Sequence, residues 1–200
     1  LRLNSRFAIV GNDLHYGPAE RDTLDKSRIN IFFSKFPPNR PVFELMLGTN
    51  GVAKPQPPLF VPAGKYSKHL CRFRVNQDIS LVSINPHMHL LGKSIKVYAL
   101  KPNGDTVRII HIPKWDFRWQ YMYTFTHLLR IPTGSELVVE AVFDNTSSNP
   151  NNPYNPPRDI SERLEFGGAS MRASDEMLQC IINWTPYRQG DETFSLKTKP

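Results

Sequence analysis

Hydrophobic positions along this chain alternate over short runs and never settle into a helical period. Residues 29–34, 69–75, 79–84, 94–100, 107–112, 137–143 and 177–184 are rich in β-branched and aromatic side chains. Pro, Gly and Asn bound them, which is the pattern of strands. Lys101-Pro-Asn-Gly-Asp105 joins two of these runs and supplies a glycine for a tight hairpin turn, and Ile131-Pro-Thr-Gly-Ser135 makes another turn. No ten-residue stretch holds a clean helical period, and the best helix candidate is a single turn within residues 158–164. The pattern predicts an all-β fold, a sandwich or jelly roll. Residues 37–62, with seven prolines, read as an extended crossing between two packed units, and residues 145–157 as a long surface loop.

Composition narrows the class. The 200 residues, 40% hydrophobic and 22% charged, suffice for one globular domain or one domain with part of a second. Proline is 18 of 200 residues, or 9%, against a usual level of about 5%, which argues against a helical bundle. No apolar run approaches the roughly 18 residues of a membrane-spanning helix. The net charge of +7 is scattered and comes with no helix-turn-helix, zinc-finger or RNA-binding signature, so it reads as solubility and not as a nucleic-acid surface. The chain opens at Leu1 without an initiator Met or an apolar leader and reads as an excised piece whose targeting signal would lie elsewhere. Cys71 and Cys180 form no CxxC, which leaves either one long-range disulfide or two buried thiols.

The sharpest chemical feature is His87-Met88-His89. In a strand alternate residues face one side, so the two imidazoles project together and can share a metal while Met88 faces away. The plainer reading is a pair of histidines satisfied by hydrogen bonds at a strand end. Pro86 before the pair and Leu90-Leu91-Gly92 after it set the pair at the rim of a buried strand, where a site can be both held and reached. Further along, Gly167-Gly168 precedes Ser174-Asp175-Glu176-Met177 at the head of an apolar run. A lone strand Met is usually core filler. Two imidazoles with a thioether, however, form a soft donor set that suits Cu(I) and leaves a coordination position open.

These segments, Pro86-His-Met-His-Leu-Leu-Gly-Lys93 and then Gly167-Gly168 and Ser174-Asp-Glu-Met177, resemble the second domain of the copper type II, ascorbate-dependent monooxygenases. That is the family of peptidylglycine alpha-hydroxylating monooxygenase and dopamine beta-hydroxylase. The resemblance implies that His87, His89 and Met177 are the ligands of the copper at which dioxygen is activated. Leu14-His15-Tyr16-Gly17 sits where the family places the last of three histidines on a second, electron-passing copper, so His15 would be part of that site. The family fold is two jelly-roll-like sandwiches facing across a solvent-filled gap. Residues 1–36 would then be the closing strands of a truncated first sandwich, 37–62 the Pro-rich crossover and 63–200 the copper-binding sandwich.

On that resemblance the chain is the dioxygen-binding half of an enzyme that hydroxylates an aliphatic C–H bond, inactive alone. Copper would be its cofactor, and ascorbate or another reductant its electron donor. Its partners would be a missing N-terminal domain and a small-molecule or peptide substrate, with no nucleic acid and no membrane insertion. The expected location is extracytoplasmic, periplasmic or secreted. The chain also departs from the peptide-amidating members. Where they carry a carboxylate-binding Arg two residues before the first His and a Tyr four residues after the Met, this chain has Asn85 and Ile181. Glycine-extended peptides are therefore poor substrate candidates.

Other features carry less. His69, His111 and His127 show no ligand spacing and read as surface or packing histidines. The aromatic run from Trp115 to Phe125 reads as packing or as the lining of a substrate cleft. Asp175 and Glu176 are strand neighbours that point to opposite faces, so they cannot form a glycosidase dyad. Two other functions fit the same fold: a copper-binding or electron-transfer sandwich without oxygenase activity, and a carbohydrate- or protein-binding sandwich.

Overall fold

The alternating runs fold as strands. In order these are β1 (Phe43–Gly48), β2 (Phe60–Val61), β3 (Tyr66–Arg74), β4 (Ile79–Met88), β5 (Gly92–Leu100), β6 (Thr106–Ile112), β7 (Tyr123–Ile131), β8 (Glu136–Asp144), β9 (Ile160–Ser161), β10 (Leu164–Glu165), β11 (Gly168–Ala169) and β12 (Leu178–Pro186). A single 3-10 turn, Asp191–Thr193, follows. This computed structural model describes residues 20–32, 35–165, 168–169 and 172–196. The chain divides into two units, Leu1–Pro41 and Val42–Pro200. In the first, the described residues form no strand or helix, and Leu24, Ile29, Ile31, Phe32 and Phe36 are exposed. The strand expected over 29–34 is thus not formed over residues 29–32. A β-type pattern makes a strand only where another chain segment hydrogen-bonds to it.

The second unit is a β-sandwich of two four-stranded antiparallel sheets, ordered β1-β12-β4-β7 and β3-β8-β5-β6. The expected hairpin joins β5 to β6, closed by Lys101 N–H to the Asp105 carbonyl at 2.8 Å. Besides the two-residue strands β2, β9, β10 and β11, two strands of the main sheets lie where none was expected. β1 falls inside the Pro-rich segment, and β7 begins within the aromatic run. The helical turn expected within residues 158–164 is absent: Ile160 and Ser161 pair with β2 instead. Asn145 shapes that region. Fully buried, it donates from Nδ2 to the carbonyls of Val61 (2.9 Å) and Arg158 (2.7 Å), and its Oδ1 accepts from Asn152 (2.9 Å). Asn145→Ala is expected to lower unfolding stability by about 2 kcal/mol, read from urea denaturation, because two carbonyls and a side-chain amide lose their partner.

The core lies between the sheets, with Leu47, Ile84, Met88, Leu178 and Ile182 on one side and Ile95, Val97, Val139, Ala141 and Phe143 on the other. Cys71 of β3 and Cys180 of β12 are both within it as free thiols, so the choice left open by the sequence falls on two buried thiols and not a disulfide. Burial pushes the Cys71 thiol up to about 12 and raises Cys180 too.

One irregularity decides what β4 shows to the outside. Ile79 and Leu81 are buried, but the ladder slips between Leu81 and Ser83 against β7, and between Asn183 and Trp184 against β12. Such a bulge adds a residue to one strand and exchanges which alternate positions face in. Beyond it Ile84 and Met88 face the core, and Ser83, Asn85 and His87 take the outer face.

Candidate metal centre

His87 is the penultimate residue of β4, and His89 follows the strand's last residue. Their ring centroids are 5.1 Å apart with planes at 85°, so the strand period brings the two imidazoles together as expected. His87 is half-buried and His89 only 3% exposed. Met88 between them is fully buried in the core, as alternation requires.

β12 supplies the other wall. It pairs antiparallel with β4, with Gln179 opposite His87 and Leu178 opposite Met88. The ladder ends at that pair; His89 and Met177, both buried, are the next residues beyond it on either side. His87 and His89 thus lie at the end of the sheet where the chain enters β12, and Met177 is the residue just before that strand. Among the described residues no three His, Cys, Asp or Glu side chains group as ligands could. The site expected around His15 lies outside the described residues, as does Gly167.

The surroundings hold His89 from several directions. Its Nδ1 lies 2.8 Å from the Asp175 carbonyl. A carbonyl only accepts, so Nδ1 carries the proton and the lone pair is on Nε2. This is the arrangement that fixes a metal-binding imidazole. The His89 carbonyl accepts from the Trp115 indole N–H at 3.2 Å, and Phe117 meets the His89 ring edge-on at 5.7 Å. Gly92 lets Trp115 sit there: a Cβ at Gly92 would come within 2.6 Å of the indole Cδ1.

Glu176 is the residue whose role the sequence reading did not find. Its buried carboxylate accepts the Leu91 N–H on Oε1 at 2.7 Å, and on Oε2 the N–H groups of His89 at 3.1 Å and Met177 at 3.3 Å. It therefore ties the turn after the HxH pair to the head of β12. Burial pushes its pKa up to about 8, while the three N–H bonds pull the other way. The sequence signal was the Glu directly before Met177, but the donors it serves are backbone groups.

Of the remaining histidines, His69 is buried and bonded, Nδ1 to the Pro57 carbonyl (2.9 Å) and Nε2 to Ser67 (3.1 Å), a packing histidine as expected. His111 and His127 are exposed strand residues.

The structure is an antiparallel β-sandwich with an imidazole pair at the rim of one strand. The family model for the copper type II ascorbate-dependent monooxygenase C-terminal domain matches residues 42–152, more than half of the chain. The chain belongs to the copper type II ascorbate-dependent monooxygenases, and the matched residues are their C-terminal domain. The match takes in His87 and His89 and stops short of Met177. A comparison with curated proteins finds no match. Among the described residues, no helix is long and apolar enough to cross a membrane.

Proposed function

We propose that His87, His89 and Met177 hold a copper ion, and that this domain is the dioxygen-binding half of a monooxygenase that hydroxylates an aliphatic C–H bond. The observation that carries the reading is the bond from His89 Nδ1 to the Asp175 carbonyl. In the neutral ring it leaves the lone pair on Nε2, the His87 ring is 5.1 Å away centroid to centroid, and the segment leading into β12 that provides the carbonyl carries Met177 two residues on. The donor set of two neutral imidazoles and a thioether fits Cu(I). Copper, when bound, supplies one-electron redox chemistry and a place for dioxygen. The chain's own residues do the rest. Asp175 and Glu176 orient His89 and Met177, Trp115 holds the His89 carbonyl, Phe117 meets the His89 ring edge-on, and the outer sheet face beside His87 receives the substrate.

The second electron would come from a copper in a partner N-terminal domain, for which residues 1–36 would supply the closing strands and His15 one ligand. Ascorbate or another reductant would feed that site. The domain alone should not turn over, and copper–dioxygen chemistry of this kind belongs outside the cytoplasm.

Anaerobic Cu(I) titration of the chain and of Met177→Ala, with X-ray absorption, tests the reading. We expect one copper per chain, with a sulfur scatterer that Met177→Ala removes. Absence of saturable copper, or binding unchanged by Met177→Ala, would overturn the site. Copper bound through sulfur, with no oxygen consumed once the N-terminal domain is restored, would leave an electron-transfer module.

A further inference from the structure

The outer face of the β1-β12-β4-β7 sheet carries, beside His87, a cluster that the metal centre does not use. The connection from β6 to β7 runs along β4 and places Trp119, Tyr121 and Met122 at this face, 60%, 54% and 47% exposed. The rings of Trp119 and Tyr121 are 5.3 Å apart. The sheet itself fastens them: Asn85 Nδ2 donates to the Tyr121 carbonyl at 2.9 Å, Tyr123 Oη to the Trp119 carbonyl at 3.3 Å, and Asn183 Nδ2 to Met122 Sδ at 3.6 Å. Scattered exposed apolar residues mean little, but a paired, tethered group beside a candidate reaction centre is a binding surface.

Its polar character is one-sided. Gln179 spends its amide N–H groups on the Thr49 carbonyl (2.7 Å) and Met46 Sδ (3.5 Å), and Asn183 spends its own on Ser83 (3.0 Å) and Met122. These amides therefore spend their donors within the protein and have acceptor oxygens to offer a ligand. The guanidinium of Arg118, in the same connection, is held by both oxygens of Asp116, at 3.0 and 2.7 Å. That pairing lowers the Asp116 carboxyl to about 2 and offsets the Arg118 charge within the connection. Glu44 of β1, opposite Asn183, adds negative charge to the face.

We propose that this face binds an uncharged, aromatic or apolar substrate with an N–H or O–H donor, stacked on Trp119 and Tyr121, and that it rejects carboxylates. The proposal deepens the monooxygenase reading and rests on it for the word substrate; the binding itself needs no metal. The test is a matched pair of probes, 4-phenylbutyramide and 4-phenylbutyrate, titrated into the metal-free and Cu(I)-loaded chain and followed by amide and indole NMR shifts. The amide is expected to shift the Trp119 indole signal and to bind at least several-fold tighter than the acid. Trp119→Ala, at an exposed position, should abolish that binding without moving the thermal midpoint. Equal or tighter binding of the acid, no binding of the amide, or amide binding indifferent to Trp119→Ala would overturn the proposal. Amide binding to a chain that takes up no copper would uphold this surface and sink the copper site, so the two failures are distinguishable.

Discussion

Glu176→Ala should destabilise the sandwich by on the order of 3–9 kcal/mol, because it strands three buried N–H groups at about 1–3 kcal/mol each. The three belong to His89, Leu91 and Met177, so the loss falls on the join between the two strands that frame the proposed copper site. Glu176→Gln should rescue only part of it. A glutamine offers one acceptor oxygen where the carboxylate uses both, and its NH2 group would face at least one N–H head-on. Urea unfolding of the metal-free chain gives the stability order, wild type above Gln above Ala. The His89 ring reports on positioning: its nitrogen NMR shifts show a fixed proton on Nδ1 in the wild type and exchange between tautomers once the tie to β12 loosens. An alanine variant within about 1 kcal/mol of wild type, with the His89 tautomer unchanged, would show that Glu176 is a bystander.

The contrast between His87–His89 and Glu176 shows what a sequence can and cannot disclose. The histidine pair was legible because a strand repeats every two residues, so spacing alone puts both rings on one face. The part played by Glu176 was not, because the N–H groups it binds carry no side-chain signature, and those of Leu91 and His89 arrive from 85 and 87 residues away. The His89 proton position was hidden for the same reason: it depends on a backbone carbonyl 86 residues distant. Strands followed a similar rule. β3, β5, β6 and β8 alternate openly, whereas β1 is masked by prolines on both sides and β7 by aromatics that suit a core as well as a cleft. The β4 bulge, which turns Asn85 and His87 outward, depends on slips against two neighbouring strands and leaves no local mark. Residues 29–32 show the converse, a convincing strand pattern that forms no strand among the described residues.

Gly48→Ala should rival Glu176→Ala in effect, although it changes one methyl on the far side of β12. Gly48 ends β1 with φ +95, a conformation that costs an L-residue roughly 1–2 kcal/mol. A Cβ there would also overlap the carbonyl oxygen of Leu178, a backbone atom with no rotamer to move away. That carbonyl is engaged already, accepting the Thr49 N–H at 2.6 Å, while Thr49 Oγ1 accepts the Leu178 N–H at 3.2 Å. The Gly48-Thr49 corner therefore grips the residue after Met177, and displacing it moves the head of β12 away from His89. Strain and clash together predict a loss above about 3 kcal/mol. Gly64→Ala is the control, since Gly64 also has positive φ, at +70, but has nothing within 4 Å of a built Cβ. It should cost about 1–2 kcal/mol from strain alone. Copper affinity then separates the two substitutions: it should fall in Gly48→Ala, where β12 must shift, and hold in Gly64→Ala. If both variants lost equal stability and kept equal affinity, the corner would be a turn like any other, and Met177 would have to be held by Glu176 alone.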